Sequence, residues 1–121
     1  MFYKSEEHPH ILFSEEVHET LNTDKRVIRN EQLARKIENA LDTLNEDGTD
    51  PGYHPRGNLE NLGGGWWSLR IRCQNDFWRI MFRRVDSTKY GLAIMFLKKE
   101  NKITKQNWNA AKTVAKREGW L

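Results

Sequence analysis

Arginine and lysine recur at strand spacing in the second half of this chain. Arg70 and Arg72 alternate with apolar residues, Arg79 and Arg83 fall four apart, and Lys98-Lys99 follow an apolar run. A cluster of this kind can hold a phosphate group through paired N–H donors and stabilise negative charge developing on it. Trp66 precedes the first arginine pair, and an exposed indole there would be a surface for stacking a base. His54, in the loop Tyr53-His54-Pro55-Arg56, is a group that can move a proton near neutral pH. His8-Pro9-His10 supplies two imidazoles, too few for a metal site. Gly63-Gly64-Gly65 is followed by a strand pattern and not by a helix, so it does not read as a phosphate cradle.

Alternation also predicts the elements that hold these residues. Trp67, Leu69, Ile71 and Cys73 share one face of a strand, with Ser68, Arg70 and Arg72 on the other. Gln74-Asn75-Asp76 is a turn. Phe77–Arg83 forms the next strand, with Trp78, Ile80 and Phe82 on one face and Phe77, Arg79, Met81 and Arg83 on the other. Tyr90–Leu97 is nearly all apolar and reads as the central strand, covered on both faces. A hairpin between the first two strands makes neighbours of Arg70 and Arg79.

Upstream, the period lengthens to that of a helix. Ser14 is an N-cap for a short helix through Val17 and Leu21. Leu33, Ile37, Ala40, Leu41 and Leu44 form one stripe of a second helix. It starts at Thr23 or Asn30, ends near Leu44 and is closed by Asp47-Gly48. Phe2-Tyr3 reads as a first strand or an ordered arm. A last helix spans about Thr104–Arg117, with Trp120 in the tail behind Gly119. The expected architecture is α+β: N-terminal helices on a small antiparallel meander, a C-terminal helix, and an outward sheet face bearing the arginines.

Composition bounds the function. The 121 residues suffice for one domain. The longest apolar run, Leu92–Leu97, is far short of a membrane span, so no membrane partner is expected. The N-terminus has no signal-peptide pattern, and the single Cys73 excludes an intrachain disulfide and a cysteine zinc cluster. A cytoplasmic setting without metal or cofactor follows as the expectation. Charge is split along the chain: residues 1–53 hold six Lys/Arg against twelve Asp/Glu, residues 54–121 fourteen against five. A net +9 half favours a polyanionic partner.

Four segments, in order, carry a family resemblance. They are Asn58-Leu59-Glu60-Asn61-Leu62-Gly63 to Trp67-Ser68-Leu69-Arg70, Asp76-Phe77-Trp78-Arg79-Ile80-Met81-Phe82, Ile94-Met95-Phe96-Leu97-Lys98-Lys99, and Asn107–Arg117 with Ala110-Ala111. Together they resemble the HigB-like, phage-derived branch of the RelE/ParE toxin superfamily. The resemblance implies a RelE-like fold and a toxin of a type II toxin–antitoxin pair that cleaves mRNA on the ribosome and so stops translation. Its implied partners are mRNA, the ribosome and a cognate antitoxin of helix-turn-helix type, whose acidic segment would cover the arginine face. Carried onto this chain, Arg70, Arg79, Lys98 and Lys99 become the catalytic candidates. His54 is the fallback acid or base, and Arg56, Arg72, Arg83, Trp66 and Lys102 are RNA-binding candidates. Ser68 stands where the family often has Glu, and the chain closes on Glu118-Gly119-Trp120-Leu121 without a terminal Tyr or His. Those departures leave two alternatives: a ParE-like inhibitor of DNA gyrase that cuts nothing, and an inactive phage-borne nucleic-acid- or protein-binding module.

Overall fold

The computed structural model describes residues 7–98 and 102–121. Phe2-Tyr3, read as a first strand or an ordered arm, and Lys99 lie outside them. Among the described residues nine elements follow in order: β1 (Ile11–Phe13), α1 (Glu15–Thr23), α2 (Lys25–Ile28), α3 (Glu31–Asp47), β2 (Leu59–Gly63), β3 (Trp66–Cys73), β4 (Asp76–Arg84), β5 (Tyr90–Leu97) and α4 (Lys105–Arg117). The class is α+β, as the sequence predicts.

Local chemistry sets the helix boundaries. Ser14 is extended, and its hydroxyl accepts from the Val17 N–H at 3.0 Å, opening α1. Of the two expected starts Asn30 is the one found, while Thr23 is the last residue of α1. Asp24 caps the single turn of α2 through the Arg26 N–H, and Asn30 caps α3 through the Leu33 N–H. Leu33, Ile37, Leu41 and Leu44 are buried along α3 as the stripe requires. The helix runs three residues past Leu44, to Asp47, because the glycine that closes it comes only at Gly48.

The sheet is larger than a three-strand meander, and mixed. Its order is β1-β5-β4-β3-β2, with β1 parallel to β5 and every other pair antiparallel. The central strand is therefore β4 and not β5. Sequence reading misses β1 because three residues are too few to show a period. It misses β2 because Leu59-Glu60-Asn61-Leu62-Gly63 is polar, edge-placed and poor in β-branched residues. The faces divide as alternation predicts: Leu69, Ile71, Trp78, Ile80 and Phe82 pack with α1–α3 in the main core.

The opposite face is not open throughout, contrary to the expected architecture. There α4 buries Ala111, Val114 and Ala115 with Trp66, Met81, Ala93 and Ile94. Trp120, expected in a free tail, belongs to this second core at 8% exposure. Gly119 adopts φ +76°, and the N–H groups of Gly119 and Trp120 donate to Lys116 and Ala115, a Schellman turn that folds the chain back onto the sheet. The indole then lies on Gly91 of β5. A Cβ at Gly91 would stand 2.5 Å from Trp120 Cε3. Gly91→Ala should therefore cost about 2 kcal/mol through overpacking, and Trp120→Ala about 3 kcal/mol through the void it leaves. Urea unfolding of both and of the double variant checks this: the double variant should lose clearly less than the sum, because the clash disappears with the ring.

Candidate anion-binding site

On the second sheet face, beyond α4, four chain segments bring charge together. The β3–β4 register puts Arg70 directly opposite Arg79, and β4–β5 pairing puts Arg79 opposite Phe96. Lys98 follows β5, its N–H donating to the Phe77 carbonyl at 2.6 Å. On the outer edge, β2 places Glu60 opposite Ser68, on the same face as Arg70. Like charges directly across a ladder repel, so this arrangement needs a counter-charge. Glu60 supplies it: Glu60 Oε2 is 3.8 Å from Arg79 Nη1.

Phe77 is the hub of the cluster. The Arg72 guanidinium carbon lies 5.4 Å from the ring centroid, Lys98 Nζ 5.5 Å and the Arg70 guanidinium carbon 5.8 Å. The negative faces of one ring thus hold three cations in place. Arg79 lies below them at 4% exposure, while Glu60 is 45% exposed. Burial lowers the Arg79 pKa, Glu60 opposes that shift, and Arg70 adds to it. Lys98 is likewise lowered from the usual lysine value, first by desolvation and then by the positive charges of Arg79 and Arg70. Arg70 Nε is buried without a hydrogen-bond acceptor among the described residues. Fixed positive charge with a donor still to be satisfied is the chemistry that an anion would complement.

The sequence-predicted residues divide between places. Arg70, Arg79 and Lys98 meet as expected, and Arg72 joins them at the rim through Phe77. Lys102 is exposed beside them, lining a recess with Lys98, Thr104 and Asn107 at the start of α4. Arg56 is exposed in the loop before β2. His54 does not join the cluster. It is buried on the α3 side of the sheet, where its Nε2 donates to the Gly48 carbonyl at 2.8 Å and ties the loop to the end of α3. Trp66 is no exposed stacking platform: it is 4% exposed, edge-on to Trp108 at 5.9 Å. Arg83 sits over the Trp66 ring at 5.1 Å, away from Arg79 along β4. His8 and His10 turn to separate partners, Asp42 and the Thr88 carbonyl.

Sequence reading missed Glu60 and the role of Phe77. Glu60 is the one acidic residue between residues 54 and 75, and recognising β2 would have put it on the arginine face. Alternation already placed Phe77 on that face, but nothing in a single sequence says that three cations converge on one ring. Comparison with known proteins returns nothing: no family model, no curated protein and no solved structure matches the chain.

If the cluster binds phosphate, inorganic phosphate at about ten times its dissociation constant should stabilise the protein by ~1.4 kcal/mol, a rise in melting temperature of about 5 °C. Thermal unfolding in phosphate against chloride at equal ionic strength measures it. Arg70→Gln should abolish the difference, and an undiminished shift in that variant would place the anion elsewhere.

Proposed function

We propose that this chain is an RNA-cleaving toxin of a type II toxin–antitoxin pair, of the HigB-like kind that its four ordered motifs resemble. The observation that carries the reading is the cluster of Arg70, Arg79 and Lys98 around Phe77, with Glu60 paired to Arg79. It supplies what cleavage of an RNA chain by its own 2′-hydroxyl requires. The 2′-oxygen attacks the adjacent phosphorus, the bond from phosphorus to the 5′-oxygen breaks, and the products are a 2′,3′-cyclic phosphate and a 5′-hydroxyl. One proton leaves the 2′-hydroxyl and one arrives at the 5′-oxygen.

Arg70 holds the non-bridging oxygens, and Arg79, buried beneath it, adds its positive charge to stabilise the charge that grows on the pentacovalent phosphorus. Glu60 takes the proton from the 2′-hydroxyl, its exposure leaving it within reach of substrate. Lys98, with its pKa drawn below the ordinary lysine value, gives a proton to the leaving oxygen more readily than an unperturbed lysine does. Arg72, Lys102 and Arg56 bind flanking phosphates. With His54 engaged on the other side of the sheet, the proton-transfer roles pass to Glu60 and Lys98. The substrate is mRNA on the ribosome, and the inactive state is a complex with a cognate antitoxin of helix-turn-helix type.

Expression of the chain alone should arrest bacterial growth by stopping translation. Pulse labelling decides this: methionine incorporation should fall first, and stalled DNA synthesis with unchanged incorporation would point to gyrase. Arg70→Ala with Arg79→Ala should remove toxicity from a protein that still folds, since losing a charge clamp on the transition state costs about a hundredfold or more in rate. Lys98→Arg keeps the charge but is a poor proton donor. It should bind RNA normally and cleave about a hundredfold more slowly in single turnover. In the parent protein the rate should fall as pH rises through the Lys98 pKa, at a pH below that of an unperturbed lysine.

A further inference from the structure

A second groove, of about 760 Å³, runs between α4 and the β2–β3 hairpin. Lys105, Trp108 and Lys112 line it at the spacing of one helix face, opposite Trp66 and Arg83, with Leu121 at the rim. Arg83 is two same-face positions from Arg79 along β4, about 13 Å at the strand rise, so this is a separate surface.

Three features describe what the groove takes. First, it is lined by three cations and by no acidic side chain. Second, Arg83 is presented and incompletely satisfied. Its guanidinium lies against the Trp66 ring, a Cβ at Gly65 would approach its Nη2 to 3.3 Å, and its Nε is buried with no acceptor among the described residues. Third, the floor is apolar. Trp108 is half-buried, and Leu121 is 61% exposed, one of two large apolar side chains exposed among the described residues.

A nucleic acid fits this less well than a peptide. Arg83 sits over the Trp66 ring, and Lys112 Nζ is 5.5 Å from the centre of Trp108. A base would have to displace a cation before it could stack. A carboxylate instead pairs with those cations where they stand, and an aliphatic side chain covers the indole edge and Leu121.

We propose that this groove docks an acidic segment of another polypeptide, its carboxylates on Arg83, Lys105 and Lys112 and one aliphatic side chain against Trp108 and Leu121. The surface is independent of the RNA-cleavage reading of the Arg79 cluster.

The test is fluorescence anisotropy with the full chain and a labelled 12-residue peptide of alternating Glu and Ala with one central Leu, at near-physiological salt. Binding should saturate. Lys105→Glu with Lys112→Glu, both on the exposed side of α4, should weaken it about tenfold or more. Replacing the peptide's Leu by Ser should also weaken it severalfold. Lys25→Glu, a charge reversal on α2 at the other side of the sheet, should leave it within about twofold. The phosphate-dependent melting shift, read on the same samples, reports on the Arg79 cluster separately. The proposal is overturned if the peptide does not bind, if Lys25→Glu weakens it as much as the groove variants do, or if the Leu-to-Ser peptide binds equally. Competition by a 12-residue oligouridine that itself depends on Lys105 and Lys112 would also overturn it, giving the groove to nucleic acid.

Discussion

A guanidinium taken out of water must be met by charge or by hydrogen bonds, because leaving it uncompensated costs several kcal/mol. Arg79 imposes that demand at the middle of the central strand. The β3–β4 register, set by the buried face and the short turn, puts Arg70 opposite it, a pair tolerable only with a carboxylate at hand. Arg79 gives β2 a reason to exist as a strand, since that edge delivers Glu60. It also needs Phe77 two residues away, whose ring steadies the cations that surround it. One sheet position thus ties together three strands and the first residue after a fourth.

The same sheet turns a linear charge asymmetry into a spatial one. The acidic first half becomes α1–α3, which pack on the face carrying Leu69, Ile71, Trp78 and Ile80. The basic second half supplies the strands' opposite face and α4. The helical side therefore repels a polyanion and the other side attracts it, which orients an incoming chain before any contact forms. Because α4 covers only part of the basic face, that face is divided into the Arg79 cluster and the groove at Trp108.

Long periodic segments were legible in the sequence. The α3 stripe, the three strands from Trp67 to Leu97 and their two faces follow from spacing alone, and so does the meeting of Arg70 with Arg79. What spacing could not give was anything set by tertiary neighbours. The strand β1 exists because β5 offers it a partner, and Ser14 both caps α1 and donates to the Ala93 carbonyl at 2.7 Å. Trp66 and Trp120 read as exposed because neither alternation nor tail position shows that α4 will fold over them. His54 reads as a candidate base because its acceptor, the Gly48 carbonyl, is generated by the end of a helix. Glu60 was invisible as a site residue for the same reason as its strand.

The parallel pairing of β1 with β5 has a kinetic consequence. Ile11 meets Tyr90 across 79 residues, whereas β3, β4 and β5 are joined to one another by short turns. Closing the long loop costs entropy that only a preformed β5 edge can repay. The hairpins must therefore assemble first, with β1 arriving last and bringing Ser14 and the start of α1 with it. Until then one side of β5 is an open edge of unpaired peptide groups, the feature through which partly folded chains join to one another. The three residues of β1 thus act as a cover for the sheet, and the time before they dock is when the chain is most prone to aggregate.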